Sequence, residues 1–185
     1  EAEVGEVGFV GVEGLTVSAD TVTIEINQPS ASGEVIDYSA EATSVVIPTG
    51  PETTHTLTLD GSSGELLRAS GNFTIDIFGF FRTSGSLAFE KSSQQVTLND
   101  ESATEVEVDL LTVGGSSLDA FAGINGGTAD AIGLELSNVE FALALMSDKA
   151  NPARKWTSLE ASAGEIAFVG IDGITLSATD ILVEI

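Results

Sequence analysis

The sequence predicts an all-β protein built from repeated strands, and three observations support this prediction. Apolar and polar residues alternate along much of the chain, as in residues 73–77 and 104–110, and a period of two with β-branched residues indicates half-buried strands. Helical periodicity is nearly absent, and 20 glycines interrupt the alternating stretches. The third observation is an internal repeat, since the first 26 residues return as the last 26.

The repeat aligns without a gap at an offset of 159 residues. Residues 1–26 and 160–185 share 13 identical positions, and seven further positions exchange similar residues. If the chain is a segment of a longer tandem array, the position of the match at its two ends is explained. We therefore expect residues 1–159 to be one long repeat unit and residues 160–185 to begin the next. The alternative is a single pseudosymmetric domain whose ends match.

A shorter theme recurs inside the long repeat. Each copy has a glycine, an apolar alternating stretch, a serine followed by Ala, Gly or Asn, and a second alternating stretch. Serine next to a small residue or Asn favours a local turn, so the theme predicts a strand, a tight corner and a second strand. The corner residues are Ser18, Ser70, Ser84, Ser137 and Ser177.

Two architectures accommodate many strand-corner-strand units. A β-solenoid is favoured, because stacked coils require corners that recur with similar local sequence around a continuous apolar core. Tandem antiparallel β-sandwich domains are the alternative, since they also consist of short strands joined by frequent turns. Loops are predicted at residues 28–33 and 48–51, and a hairpin is predicted at Asn99 and Asp100.

The chain is strongly acidic, with 29 Asp and Glu against six Lys and Arg and a net charge of −23. Such a surface repels nucleic acid and anionic membranes, and the apolar runs are too short to insert into a membrane. The absence of cysteine excludes disulfides and thiolate metal sites and mildly favours export. We expect an extracellular or cell-surface location.

Signals for catalysis are poor. The sequence has no phosphate-binding loop, HExxH motif or dinucleotide fingerprint. The one histidine, His55, occupies the polar phase of a predicted strand, where we expect it to be exposed. The chain is therefore not expected to be an enzyme or to have cofactor-binding residues.

Calcium is the one metal that the acidic residues suggest. Acids recur at matched places of the repeat, and stacking would bring like charges to about 4.8 Å, where they repel unless a cation bridges them. The alternative is an acidic face that is simply solvated. The candidate ligands are Glu13, Glu25, Asp76, Asp172 and Glu184.

The stretches GNFTIDIFGFFRTSGSLAFE, LLTVGGSSLDAFAGING and GEIAFVGIDGITLSATDILVEI resemble repeat units of giant bacterial surface or secreted proteins of the LEPR-XLL and haemolysin-type, calcium-associated kinds. The resemblance implies an exported, very long protein that adheres or forms filaments. Units of this kind often carry an Asp/Asn-rich calcium loop after the segment that matches residues 121–126. Here residues 127–132 (GTADAI) replace that loop.

The expected function is therefore structural. The chain would be a repeat of an extracellular filament, sheath or giant adhesin that assembles by β stacking with further copies of itself, with Phe80 and Phe81 or open strand edges for lateral association. The alternative is a carbohydrate-binding or carbohydrate-acting β-solenoid. One Trp and one Tyr in the chain are few for stacking on sugars.

Overall fold

The computed structural model describes residues 2–9, 14–40, 43–171 and 173–185, with side chains described from residue 14 onward except that of Ser63. The all-β prediction is confirmed, because the regular elements of these residues are strands and one short 3-10 turn, Gly61–Ser63. The strands are β1 Ala2–Phe9, β2 Leu15–Asn27, β3 Val45–Pro48, β4 Thr54–Leu57, β5 Leu66–Ile77, β6 Phe81–Thr97, β7 Glu105–Ile124, β8 Ile132–Asp148, β9 Lys155–Val169 and β10 Leu176–Glu184.

Eight of these strands form one open antiparallel sheet in the order β1-β2-β5-β6-β7-β8-β9-β10. The small β3–β4 hairpin lies apart, within the insert that joins β2 to β5. Described strands make extensive contacts only with their neighbours in the same sheet. Within the described ranges there is consequently neither a second large sheet packed on the first nor a closed coil, and the architecture is an antiparallel sheet that is one layer thick except at the end under the insert.

The prediction of tight corners at the five serines is wrong. Ser18, Ser70, Ser84, Ser137 and Ser177 all lie inside strands, which run through these positions without turning. The serine-containing segments instead coincide with a band of irregular backbone across the middle of the sheet. Serine beside Gly or Asn tolerates a bulge as well as a turn, and pairing on both sides keeps each strand extended. Positive φ angles occur in this band at Thr21, Ser117, Asn138 and Asp180.

One bulge in β2 keeps its apolar side chains on a single face. The pairing of β2 with β5 shifts by one residue between Asp20 and Thr23. An extra residue reverses the alternation of side chains along a strand. Ala19 and Ile24, which would face opposite ways in a regular strand, therefore both face the apolar side of β5. β7 makes the same adjustment against β6.

The predicted hairpin at Asn99 and Asp100 is confirmed, because Thr97 pairs with Glu105 across it. The carboxylate of Asp100 accepts hydrogen bonds from the backbone N–H groups of Thr104 and Ser102, at 2.9 and 3.2 Å. These bonds, with that from Thr104 foremost, hold the pKa of Asp100 below its ordinary value. His55 is exposed on β4, as its polar phase predicts.

The most deeply buried residues gather at one end of the sheet, under the insert of residues 28–65. Val108 is fully buried there, and Leu66 and Leu110 are nearly so. Asn27, the partner of Leu66, donates from Nδ2 to the carbonyl of Ile36 in the insert at 2.9 Å. The 3-10 turn contacts β6. This end is thus the only two-layer part of the described structure, and the rest of the sheet is one layer thick.

Candidate functional site: the faces and edges of the sheet

Side chains of directly opposed residues on antiparallel strands lie on the same side of a sheet, so the strand register traces each face. Six rows across the sheet are almost entirely apolar, and together we call them the apolar face. The rows are Leu15, Ile77, Phe81, Ala122, Leu134, Phe168 and Leu176; Val17, Ile75, Thr83, Ala120, Leu136, Ile166 and Ala178; Ala19 and Phe73, continued by Leu118, Val139, Ala163 and Ile181; Gly71, Leu87, Gly115, Phe141, Ala161 and Val183; Ile24, Ala69, Phe89, Val113, Leu143 and Leu159; and Ile26, Leu67, Lys91, Leu111, Leu145 and Thr157.

The apolar face is largely open to solvent. Phe89, at its centre, is 41% exposed, and only Ala19, Leu118 and Ala163 are buried on it. The accessible surface of the whole chain is 11995 Å². A compact monomer of 19.0 kDa is expected to expose about 8,400 Å². The excess, about 3,600 Å² by that scaling, shows that the chain is less compact than a typical monomer, and the exposed side chains of the apolar face contribute to it.

The opposite side of the sheet, the acidic face, carries most of the charge that lies on strands. Two arginines, Arg68 and Arg82, accompany a much larger set of carboxylates. These carboxylates are Asp20, Glu25, Asp76, Glu90, Asp119, Glu135, Glu140, Glu160, Glu165 and Glu184. In contrast, Lys91 is the one charged residue in the six apolar rows. The sheet is therefore amphipathic over these six rows. Beyond the row of Lys91 and Leu111, the charged residues Glu105, Glu107, Asp109 and Lys155 lie on the same side as the apolar face.

The three candidate calcium ligands that the structure describes, Glu25, Asp76 and Glu184, do not meet in one place. Glu25 pairs with Arg68, and Asp76 accepts a hydrogen bond from the backbone N–H of Gly79 at 2.9 Å. Glu184 lies directly opposite Glu160 at the other end of the sheet. Glu13 and Asp172 lie outside the described residues. No group of three or more His, Asp or Glu residues able to hold a metal ion occurs in the part of the chain that the structure describes.

Arg68 neutralises carboxylates from both neighbouring strands. Its guanidinium lies 2.7 Å from Glu90 on β6 and 3.0 Å from Glu25 on β2. The hydrogen bond with Glu90 is the largest cause of a raised pKa for Arg68, with Glu25 adding to it. Arg68 thereby ties three adjacent strands together on the acidic face.

The repeated sequence forms two equivalent hairpins at opposite ends of the sheet. β1 pairs with β2 as β9 pairs with β10, since Val7 faces Ala19 and Ile166 faces Ala178, each shifted by 159 residues. The positive φ also recurs, at 51° for Thr21 and 55° for Asp180. The two hairpins differ in their neighbours, because β2 pairs on its far side with β5, whereas the far side of β10 is an open edge.

Equivalent glutamates of the two hairpins have opposite electrostatic surroundings. We expect Glu25→Gln to lower the free energy of unfolding by about 0.5–1 kcal/mol, because it removes one partner of the Arg68 network. Glu184→Gln should instead leave stability unchanged or raise it slightly, because Glu184 faces Glu160, a like charge. Urea unfolding at low and high salt measures both changes, and the loss for Glu25→Gln should shrink as salt screens the pair. Equal losses at the two positions would contradict this assignment.

A cleft of about 420 Å³ lies on the acidic face beside the β7–β8 loop. Arg82, Asp119 and Glu135 line it, together with Phe121 and Thr128. Phe121 is buried, so the cleft presents little aromatic surface. Sequence reasoning missed this cleft, because its charged residues come from three different strands and only the register brings them together.

The apolar face was also missed, although the sequence contains its signal. The alternation in β5 is regular from Leu67 to Ile77, but that in β2 changes phase in mid-strand. Only the bulge opposite Gly71 shows that both halves of β2 face one way. If the change of phase in β2 is interpreted as a bulge and not as a corner, the sequence predicts that the apolar residues of both halves of β2 lie on one continuous face.

No described residue belongs to a helix long and apolar enough to cross a membrane. Comparison of the chain with protein families, with curated proteins and with solved structures found no match.

Proposed function

We propose that this chain is a structural repeat of an extracellular filament, sheath or giant adhesin, in which successive units continue one antiparallel sheet. The observation that carries the proposal is the equivalence of the β1–β2 and β9–β10 hairpins, in sequence and in register, at opposite edges of the sheet. A repeat that both opens and ends a sheet in the same way is suited to propagation.

The joining surface follows from this equivalence. β10 corresponds to β2, so its open edge is suited to a strand like β5 of a following unit. Glu184 would then occupy the place of Glu25, beside an arginine equivalent to Arg68. β1 corresponds to β9, so its open edge is suited to a strand like β8 of a preceding unit. Each unit would add six strands to the sheet, and thus about 29 Å across the strands.

Further features of the proposal concern shape, partners and location. Strand twist accumulates along a sheet. The more specific version of this proposal is that a sheet continued over many units winds into a β-solenoid. The binding partners of each unit are further copies of this repeat, and divalent cations act as counter-ions of the acidic face. The acidic balance and the lack of cysteine support a cell-surface or extracellular location, and the lack of recognisable catalytic motifs in the sequence supports a role without catalysis. The exposed Phe80 and Phe81 provide a second contact for lateral association.

A duplicated chain tests the proposal. Residues 1–185 followed directly by a second copy of residues 28–185 should form one sheet, because the shared hairpin then pairs on both sides. Small-angle X-ray scattering should show one rigid particle that is longer by about 29 Å, the width of six strands. The matched control replaces residues 160–185 between the two copies with a Gly/Ser linker of equal length. Two flexibly linked bodies in both chains would refute unit-to-unit pairing.

Carbohydrate binding is the second candidate, and the cleft beside Arg82 is the observation in its favour. Arginine and two carboxylates can hydrogen-bond to sugar hydroxyls. The structural role is preferred because Phe121 is the one aromatic residue lining the cleft and it is buried. Binding on a glycan array that Arg82→Ala abolishes would reverse this preference.

A further inference from the structure

The apolar face has the size of a protein interface. Its six rows run across seven strands, so it measures about 30 Å across the strands and about 35 Å along them, or about 1,000 Å². A standard interface buries about 800 Å² on each partner. Exposed apolar patches on monomers are rarely larger than about 600 Å². An open face of this size therefore indicates a surface that is covered in the working form of the protein.

Charge restricts what can cover it. The chain has a net charge of −23, and the acidic face would repel the acidic face of another copy. The apolar rows contain a single charged residue, Lys91, in the row that ends at Thr157. Two copies can therefore stack face to face only through their apolar faces. Such a contact keeps both acidic faces in water.

We propose that the apolar face packs against the apolar face of a second copy of this chain, so that the two single-layer sheets form a two-layer β-sandwich. Two antiparallel sheets pack in this way about 10 Å apart, with the side chains of both inner faces interdigitated. The contact is isologous, since each copy contributes the same surface. The choice of partner rests on the proposed function. If units continue one sheet along an array, the apolar face runs along the whole array, and only a second array offers an apolar face of matching length.

Two neighbouring residues of β6 provide a matched test. Phe89 lies on the apolar face and Ala88 lies on the acidic face, and both are exposed in the single chain. A glutamate at either position changes the charge by the same amount, and neither position belongs to the buried core. The wild-type chain and Ala88→Glu should sediment as a species of twice 19.0 kDa. Phe89→Glu should weaken the association at least about 100-fold, because a charge enters the interface from both copies.

Far-UV circular dichroism controls for folding. If Phe89→Glu does not fold, Val183→Glu and its neighbour Leu182→Glu on β10 repeat the comparison, since both residues are exposed and they also lie on opposite faces. A monomer at about 100 μM would overturn the proposal, because specific interfaces of standard size have dissociation constants of about 1 μM or lower. Equal weakening by both members of a pair would also overturn it. Binding of the monomer to phosphatidylcholine vesicles without self-association would assign the face to lipid instead.

Hydrogen exchange separates this contact from pairing at the sheet edges. Face-to-face packing leaves the outward amides of β10 unprotected, whereas edge pairing protects them. Suppose that the protein sediments at twice the chain mass, that Phe89→Glu dissociates this species, and that β10 still exchanges rapidly. This result supports the sandwich, whether or not units continue the sheet. An association that survives Phe89→Glu and protects β10 supports edge pairing and refutes the sandwich.

Discussion

Deletion of the single residue Thr21 should detach the N-terminal hairpin from the sheet. Thr21 is part of the bulge that gives β2 one residue more than β5 across the same span. Without it, the half of β2 that carries Leu15 and Val17 would turn these side chains to the acidic face. Ile24 and Ile26 would stay on the apolar face. We expect loss of protection of β1 and β2 in hydrogen exchange, while β6 to β9 remain protected.

The substitution Thr21→Gly is the matched control, because it keeps the number of residues and changes only the side chain. Thr21 has a φ of 51°, which glycine adopts without the steric cost that a β-branched residue bears. Glycine also removes the exposed hydrogen bonds of the Thr21 hydroxyl with Asp20 and Asn72, which offsets part of this gain. Thr21→Gly should therefore change stability by no more than about 1 kcal/mol in either direction. If the deletion is tolerated as well as the substitution, the bulge does not set the face of β2.

Regular alternation made the strands predictable. β5 alternates apolar and polar residues from Leu67 to Ile77, and local pattern alone is enough to predict extended segments on either side of Ser70 and Gly71. The hairpin at Asp100 was also predictable, because Asp bonds the backbone two and four residues ahead of it. These features depend on residues that are close in sequence.

The sheet itself could not be predicted from the same patterns. Whether Ser70 and Gly71 form a corner or stay in a strand depends on pairing with β2 and β6. Ser70 pairs with Thr23 on β2 and with Ala88 on β6, and both partners are distant in sequence. Among the candidate ligands, Glu25 and Glu184 occupy equivalent positions of the repeat but lie beside Arg68 and Glu160 respectively. The residues opposite a glutamate on the adjacent strands determine its electrostatic surroundings, and a sequence repeat does not reveal which residues these are.

Leu66→Ala should destabilise the protein far more than Leu67→Ala, although the two residues are adjacent. Leu66 is 4% exposed, on the side of the sheet that the insert covers, whereas Leu67 is 36% exposed on the apolar face. Truncation of a buried leucine costs about 2–4 kcal/mol through lost transfer free energy and the cavity that remains. Truncation of a partly exposed one should cost less than about 1 kcal/mol, since little buried surface is lost. Urea unfolding of dilute monomer measures both.

The same pair reports on association when the protein concentration is raised. Mass action adds the free energy of association to the stability of any species that pairs only when folded. The loss for Leu67→Ala should therefore grow with concentration, because Leu67 lies on the apolar face that we expect to become buried between copies. The loss for Leu66→Ala should stay constant, since the insert covers Leu66 in every state. If neither loss depends on concentration while the protein associates, the contact lies elsewhere than on the apolar face.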